Sequence, residues 1–464
     1  MDFRLNRLYH LLLATFAVGF LVAPAAAQNN NGGNGTDNIE QSGIYVDAQG
    51  VLRMQRAVDP SGQLMRQRLA AANAALSPEL KKSSKLRKIS LNRLEKALAK
   101  ATDQNNTIPE EMRNLAGLTQ LKYVFFYPET GDIVIAGPAE GFVSDLTGRA
   151  VGTKTGQAVL SLDDLIVALR AYAPDTKGVN FVGVSIDPTP EGLKNYQQYL
   201  ASVGTNLAKI NTATLIPGMQ QALGKQDVTV TGVSPKTNFA KVLVEADYRM
   251  KLIGIGLERP PVRIPSYTEN TRGGSRNALQ RWFFTPNYEC VKLSEDGLAM
   301  ELVGEGVQLV GANEMVTRDG GRVQAGGENR ASHIFTTTCT KKYPELAKRS
   351  PVYAQLRNQI DMLIAAAYIQ EYDLYGQANW NLGVFNDESR YPVEVYNAPE
   401  KVETAVNAVW KGSKLVTPIG GGVSIKPKHA LLPERQIPDE EGQLQKSRAE
   451  VTVPELAADQ WWWD

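Results

Sequence analysis

Between residues 238 and 255 apolar side chains return every three or four positions, with Phe239, Val242, Leu243, Ala246, Met250 and Ile253 on one stripe. That spacing predicts an amphipathic helix. Across from the stripe, Glu245 with Arg249 and Asp247 with Lys251 form i,i+4 pairs in the order that favours a helix. The same period predicts a helix capped by Ser161, with Leu162, Leu165, Ile166 and Leu169 at core spacing and Asp163 and Asp164 in the first turn. Further helices are expected over 190–201, 329–343 and 352–372, and two more over 61–76 and 84–101. In 84–101, Leu86, Leu91, Leu94 and Leu98 make the apolar side. Lys85, Lys88, Arg93, Lys96 and Lys100 make a solvated basic face.

Other stretches carry strand patterns. Residues 121–127 are β-branched or aromatic, Pro128-Glu129-Thr130-Gly131-Asp132 is a turn, and 133–136 complete a hairpin. A smaller hairpin is expected over 43–55, turning at Asp47-Ala48-Gln49-Gly50. Residues 179–186 read as a continuous apolar strand, 226–233 as another, with three more pieces near 282–285, 289–293 and 300–310. The pattern implies an α+β or layered α/β protein, with two domains of mixed sheets packed by amphipathic helices. The expected division is a tether and hairpin over 28–58, an α/β domain over 59–225, an α+β domain over 226–425, and a disordered, charged tail over 426–464 that ends in Trp461-Trp462-Trp463.

The first residues change the picture of where the chain works. Arg4 and Arg7 precede an apolar run of roughly 12 residues, and Ala25, Ala26 and Ala27 follow. Charge, apolar core and small residues in that order are a secretory leader, with cleavage expected after Ala27. The run is shorter than the about 20 residues a bilayer-spanning helix needs, so the mature chain is expected in the periplasm or outside the cell. In that oxidising setting the two cysteines, Cys290 and Cys339, are expected to form a disulfide worth about 3–4 kcal/mol.

Composition excludes more than it identifies. A formal net charge of +1 provides no field for nucleic acid. Past the leader only His333 and His429 remain, neither at ligand spacing from another His or Cys, so no metal and no cofactor is expected. Gly-x-Ser-x-Gly is absent, and the glycines at 304–306 and 420–422 lack the lysine of a phosphate loop and read as turns or bulges. Two places could carry chemistry. Asp187 and Glu191 stand at the carboxyl end of the 179–186 strand, where α/β folds place ligands. Arg272, Gly273, Gly274, Ser275 and Arg276 offer backbone N–H groups and cations to an anion. Each has an ordinary structural reading beside it, a first-turn acid and a capped loop respectively.

The hairpin over 123–141 (YVFFYPETGDIVIAGPAEG) and the helix over 245–258 (EADYRMKLIGIGLE) resemble a family of secreted proteins of unknown function, numerous in planctomycete bacteria. The resemblance covers roughly residues 40 to 375 and implies an envelope setting without assigning a reaction. The expectation is a non-catalytic binding or scaffolding protein with an envelope protein or polymer as partner. A carboxylate hydrolase at Asp187 and Glu191, or an anion-binding module at residues 272–276, are the alternatives.

Overall fold

The computed structural model describes residues 41–203, 212–271, 278–304, 306–317, 322–324, 329–407, 409–411, 414–416, 419–451, 453, 457 and 460–464. The strands of its two large sheets begin with β1 (Gln41–Val46), β2 (Val51–Ala57), β3 (Ser84–Ser90), β4 (Tyr123–Tyr127) and β5 (Asp132–Ala139). They continue as β6 (Val182–Asp187), β7 (Lys225–Thr231), β8 (Ala278–Pro286), β9 (Val291–Leu293) and β10 (Ala299–Leu302). The last are β11 (Val307–Val316), β12 (Arg322–Gln324), β13 (Lys401–Glu403), β14 (Ile419–Ile425) and β15 (Trp462–Trp463). The helices that matter are α1 (Leu91–Asp103), α2 (Leu162–Ala171), α3 (Pro190–Val203), α4 (Thr212–Leu223), α5 (Asn238–Gly254), α6 (Arg330–Arg349) and α7 (Pro351–Glu371). This is an α+β fold.

Nine strands form a mixed sheet in the order β1-β2-β13-β7-β6-β14-β8-β11-β12, with β14 parallel to β8 and β13 parallel to β2. Six more form β9-β10-β4-β5-β3-β15. Both expected hairpins are present: β1 pairs with β2 with Ile44 opposite Met54, and β4 pairs with β5. The division expected at 225/226 runs through the nine-stranded sheet, because β7 is bonded to β6 on one side and β13 on the other. Residues Ile39–Asp464 accordingly make a single compact unit.

Alternation within the large sheet sends Val182, Val184, Ile186, Trp282, Phe284, Val423 and Ile425 into the main core beneath it. Against that side lies α5, started by the Thr237 hydroxyl, which accepts from the Ala240 N–H at 3.2 Å. The helix is buried nearly all round, unlike a surface helix with one wet face. Its i,i+4 pairs form as the spacing predicts, but in the interior. Glu245 accepts from Arg149 and lies 3.4 Å from Arg249, which in turn reaches Glu258 at 2.7 Å. Behind α5 comes α7, whose Leu356, Ile360, Leu363, Ile364 and Ala367 are all buried.

One buried carboxyl ties three helices together. Asp164 on α2 accepts from Asn238 of α5 and Gln359 of α7, at 3.1 Å each. Burial pushes its pKa from 3.8 up to about 7. The folded state therefore holds a proton that the unfolded chain releases. This contribution to stability is complete below pH 3.8 and disappears as pH rises through about 7. Asp164→Asn, which carries no titrating proton, is expected to flatten the fall in melting temperature between pH 5 and pH 8. An unchanged slope would show that the proton is not held there.

Three expectations are corrected. Residues 84–101 are not one helix: 84–90 are β3, paired with β5, and the Ser90 side chain then caps α1 by accepting from Arg93 N. Lys85 and Lys88 thus leave the supposed basic face, and Arg93 pairs with buried Asp132 at 2.8 Å. Cys290 and Cys339 do not form a disulfide. Both are buried free thiols, and burial pushes each pKa up to about 12. The region 426–464 is structured in its described residues. It contains a helix at Gln443–Glu450, and β15 pairs with β3 so that Trp461 and Trp463 are buried. Three large rings provide the burial that the charged composition of the tail concealed.

Candidate functional site

The second face of the nine-stranded sheet carries the residues of opposite parity: Gly183, Ser185 and Asp187 on β6, Arg281, Phe283 and Thr285 on β8, and Thr229 and Thr231 on β7. Near its far end this face is covered by α3 and α4, where Leu193, Tyr196, Leu200, Leu215, Met219 and Leu223 pack with Leu279. Two residues along β8 from Leu279, the chemistry begins.

Asp187 and Arg281 belong to strands separated by β14. Gly420 of β14 lies opposite Arg281, and a Cβ there would sit 2.5 Å from Asp187 Oδ1 and 3.4 Å from Arg281 Cγ. The missing side chain is what lets the guanidinium reach across the intervening strand. Arg281 Nε and Nη2 donate to the two Asp187 oxygens at 3.2 and 2.8 Å, and Nη1 donates to Glu314 at 3.0 Å. Burial works against the charge on Arg281, but the two carboxylates outweigh it and raise its pKa. The same row continues across the sheet to Asp227, which stands opposite Asp187 and pairs with Lys401.

On the helix side of the same strands lies a second ion pair, fully buried. Lys251 Nζ donates to Asp247 at 2.8 Å, to the Ile186 carbonyl at 2.7 Å and to the Gly421 carbonyl at 3.3 Å. Burial lifts the Asp247 carboxyl to about 6 even beside its cation, and burial pulls Lys251 down. Gly421 has φ +136, a conformation reserved for glycine, and its Cβ would meet the Trp282 carbonyl oxygen at 1.8 Å. The glycine run expected to be a turn is thus a central strand, pressed between neighbours and between two layers of charge.

Beyond the ion-pair row the face becomes concave. Gly183 puts no side chain on it, and a cavity of about 340 Å³ opens there, lined by Phe181, Ser185, Thr229, Thr231, Phe283 and Ser424 among others. It spans β7, β6, β14, β8 and β11, four inter-strand steps of about 4.8 Å or roughly 19 Å. Arg281 borders it directly, its guanidinium 4.9 Å from the Phe283 ring centre.

Of the residues expected to carry function, Asp187 is in this site, at the end of β6. Glu191 is exposed in the first turn of α3. Both Asp187 oxygens accept from Arg281, and Glu191 is not part of this ion-pair row. Arg272, Gly273, Gly274, Ser275 and Arg276 lie outside the described residues. Arg281, Glu314 and the trough residues were not singled out from sequence. The available signal was the three glycines directly before the alternating Val423-Ser424-Ile425. Among the described residues no cluster of three or more His, Cys, Asp or Glu is arranged to hold a metal, and no helix is long and apolar enough to cross a membrane.

Residues 184–267 match the family described as "Protein of unknown function (DUF1598)". The matched stretch holds Ser185, Asp187, Thr229, Thr231, Asp247 and Lys251, and excludes the 123–141 hairpin. No curated protein and no solved structure matches the chain.

Proposed function

We propose that this chain is an exported, non-catalytic binding protein of the bacterial envelope or exterior, and that its ligand lies in the trough on the open face of the nine-stranded sheet. The observation that carries the reading is the trough itself, with Gly183 in its wall and hydroxyls and aromatic rings lining it. The engagement of Asp187 by Arg281 supports binding over carboxylate hydrolysis. Export rests on the leader of residues 1–27 and on the expected cleavage after Ala27.

Hydrogen exchange tests the site. Incubating the mature chain with a cell-envelope fraction is expected to protect amides of 181–185, 229–231 and 283–285. A Ser185→Arg, Val310→Asp double variant of unchanged melting temperature is expected to lose that protection. Protection confined to other strands, or release of soluble fragments from the envelope polymer by the purified chain, would overturn the proposal.

A further inference from the structure

We infer that the trough binds a neutral carbohydrate chain laid across the strands; this rests on the trough being the ligand face. Three observations lead there. The first is charge. The ion pairs of the row beside the trough are already made, Arg281 with Asp187 and Glu314, and Lys401 with Asp227. A charged ligand would compete with the pairs of this row, whereas a neutral one leaves them intact.

The second is the lining. Ser185, Thr229, Thr231 and Ser424 bring hydroxyls to the cavity wall. A hydroxyl both donates and accepts and rotates to suit, which matches a ligand made of hydroxyls and ring oxygens. An acyl chain would strip water from these groups and return no hydrogen bond, at a cost of about 1–3 kcal/mol for each one buried. Thr229 and Thr231 are also exposed, so the wall is open to water, unlike the dry slot that suits an acyl chain.

The third is shape. Phe181 and Phe283 are half-buried, presenting apolar ring surface to the same cavity. The apolar C–H face of a sugar ring packs on such a surface while its rim of hydroxyls reaches the Ser and Thr side chains. At roughly 19 Å the trough is long enough for several rings in a row, and the β-strand spacing sets the repeat at which contacts recur.

The experiment is a binding screen of the mature chain on an array of neutral and acidic oligosaccharides, followed by calorimetry with the best neutral hexasaccharide. Lauric acid and hexagalacturonic acid serve as the apolar and acidic probes. The expected result is binding of a neutral hexasaccharide that is insensitive to salt up to about 0.5 M, with both other probes at least roughly tenfold weaker. Phe283→Ala is expected to weaken the neutral ligand about tenfold. Thr229→Val, which keeps shape and removes a hydroxyl, is expected to weaken it severalfold, with unchanged melting temperatures. Absence of any neutral glycan binding, tighter binding of lauric or hexagalacturonic acid, or equal affinity in the Phe283→Ala variant overturns the inference. If strands 181–185 and 283–285 are still protected by the envelope fraction in that event, the trough remains the ligand face and only its ligand class is wrong. If they are not, both fall.

Discussion

Lys251→Met is expected to destabilise the fold by about 3–5 kcal/mol, because it leaves Asp247 fully buried without its cation. The ammonium also donates to the carbonyls of Ile186 and Gly421, so the change removes donors from two strands of the sheet that floors the trough. The loss should depend on pH in a defined direction. The Asp247 carboxyl, already lifted to about 6, rises further without Lys251 and takes up a proton more readily. The variant is therefore expected to lie closer to the parent at pH 5 than at pH 8. Replacing both partners, Asp247→Leu with Lys251→Met, should recover a large part of the loss, since an apolar pair leaves no charge behind. Urea denaturation of the parent, the single and the double variant at both pH values measures this. A single variant within about 1 kcal/mol of the parent at pH 8 would mean that the pair is not desolvated as described.

Arg87→Met is expected to cost a similar amount, about 3–5 kcal/mol, and to release the last strand. Arg87 has no exposed surface. Its Nε and Nη2 donate to the Asp464 carboxylate at 2.8 and 3.0 Å, and its remaining N–H groups to the carbonyls of Ala116, Glu79 and Lys82. The Trp462 ring lies 4.6 Å from the guanidinium. Methionine fills the volume of the stem but leaves those acceptors without donors. Hydrogen exchange at residues 88–90 and 461–463 should accelerate in the variant more than at β4 and β5. Asp464→Ala should approach the same phenotype from the other side, because it strands a buried guanidinium. Coupling between the two substitutions in a double-mutant cycle is the decisive measurement, and additive effects would contradict the pairing.

How much of this was legible differs from residue to residue. Asp187 was selected by its place at the carboxyl end of an apolar strand, a property that names no partner. Its partner Arg281 stands 94 residues away, and nothing in the spacing of either stretch points to the other. The expected disulfide was inferred from compartment and count, neither of which places two sulfur atoms; the structure puts both thiols in the core. The tail was judged by average composition, which dilutes three tryptophans among many charges, although burial is decided by the few large rings.

By itself the sequence determined what repeats over one or two turns of chain. The 3.6-residue stripe established α5 and α7, and the hairpin turns established β1–β2 and β4–β5, because side chains three or four apart on a helix, or facing across a tight turn, meet whatever the rest of the chain does. The tertiary structure alone decided that Glu245 and Asp247 pair inside the molecule, that residues 84–90 are a strand, and that Gly420, Gly421 and Gly422 form a central strand over which Arg281 reaches Asp187. A strand's neighbours are bonded through backbone groups common to every residue, so its identity depends on which distant segments arrive beside it.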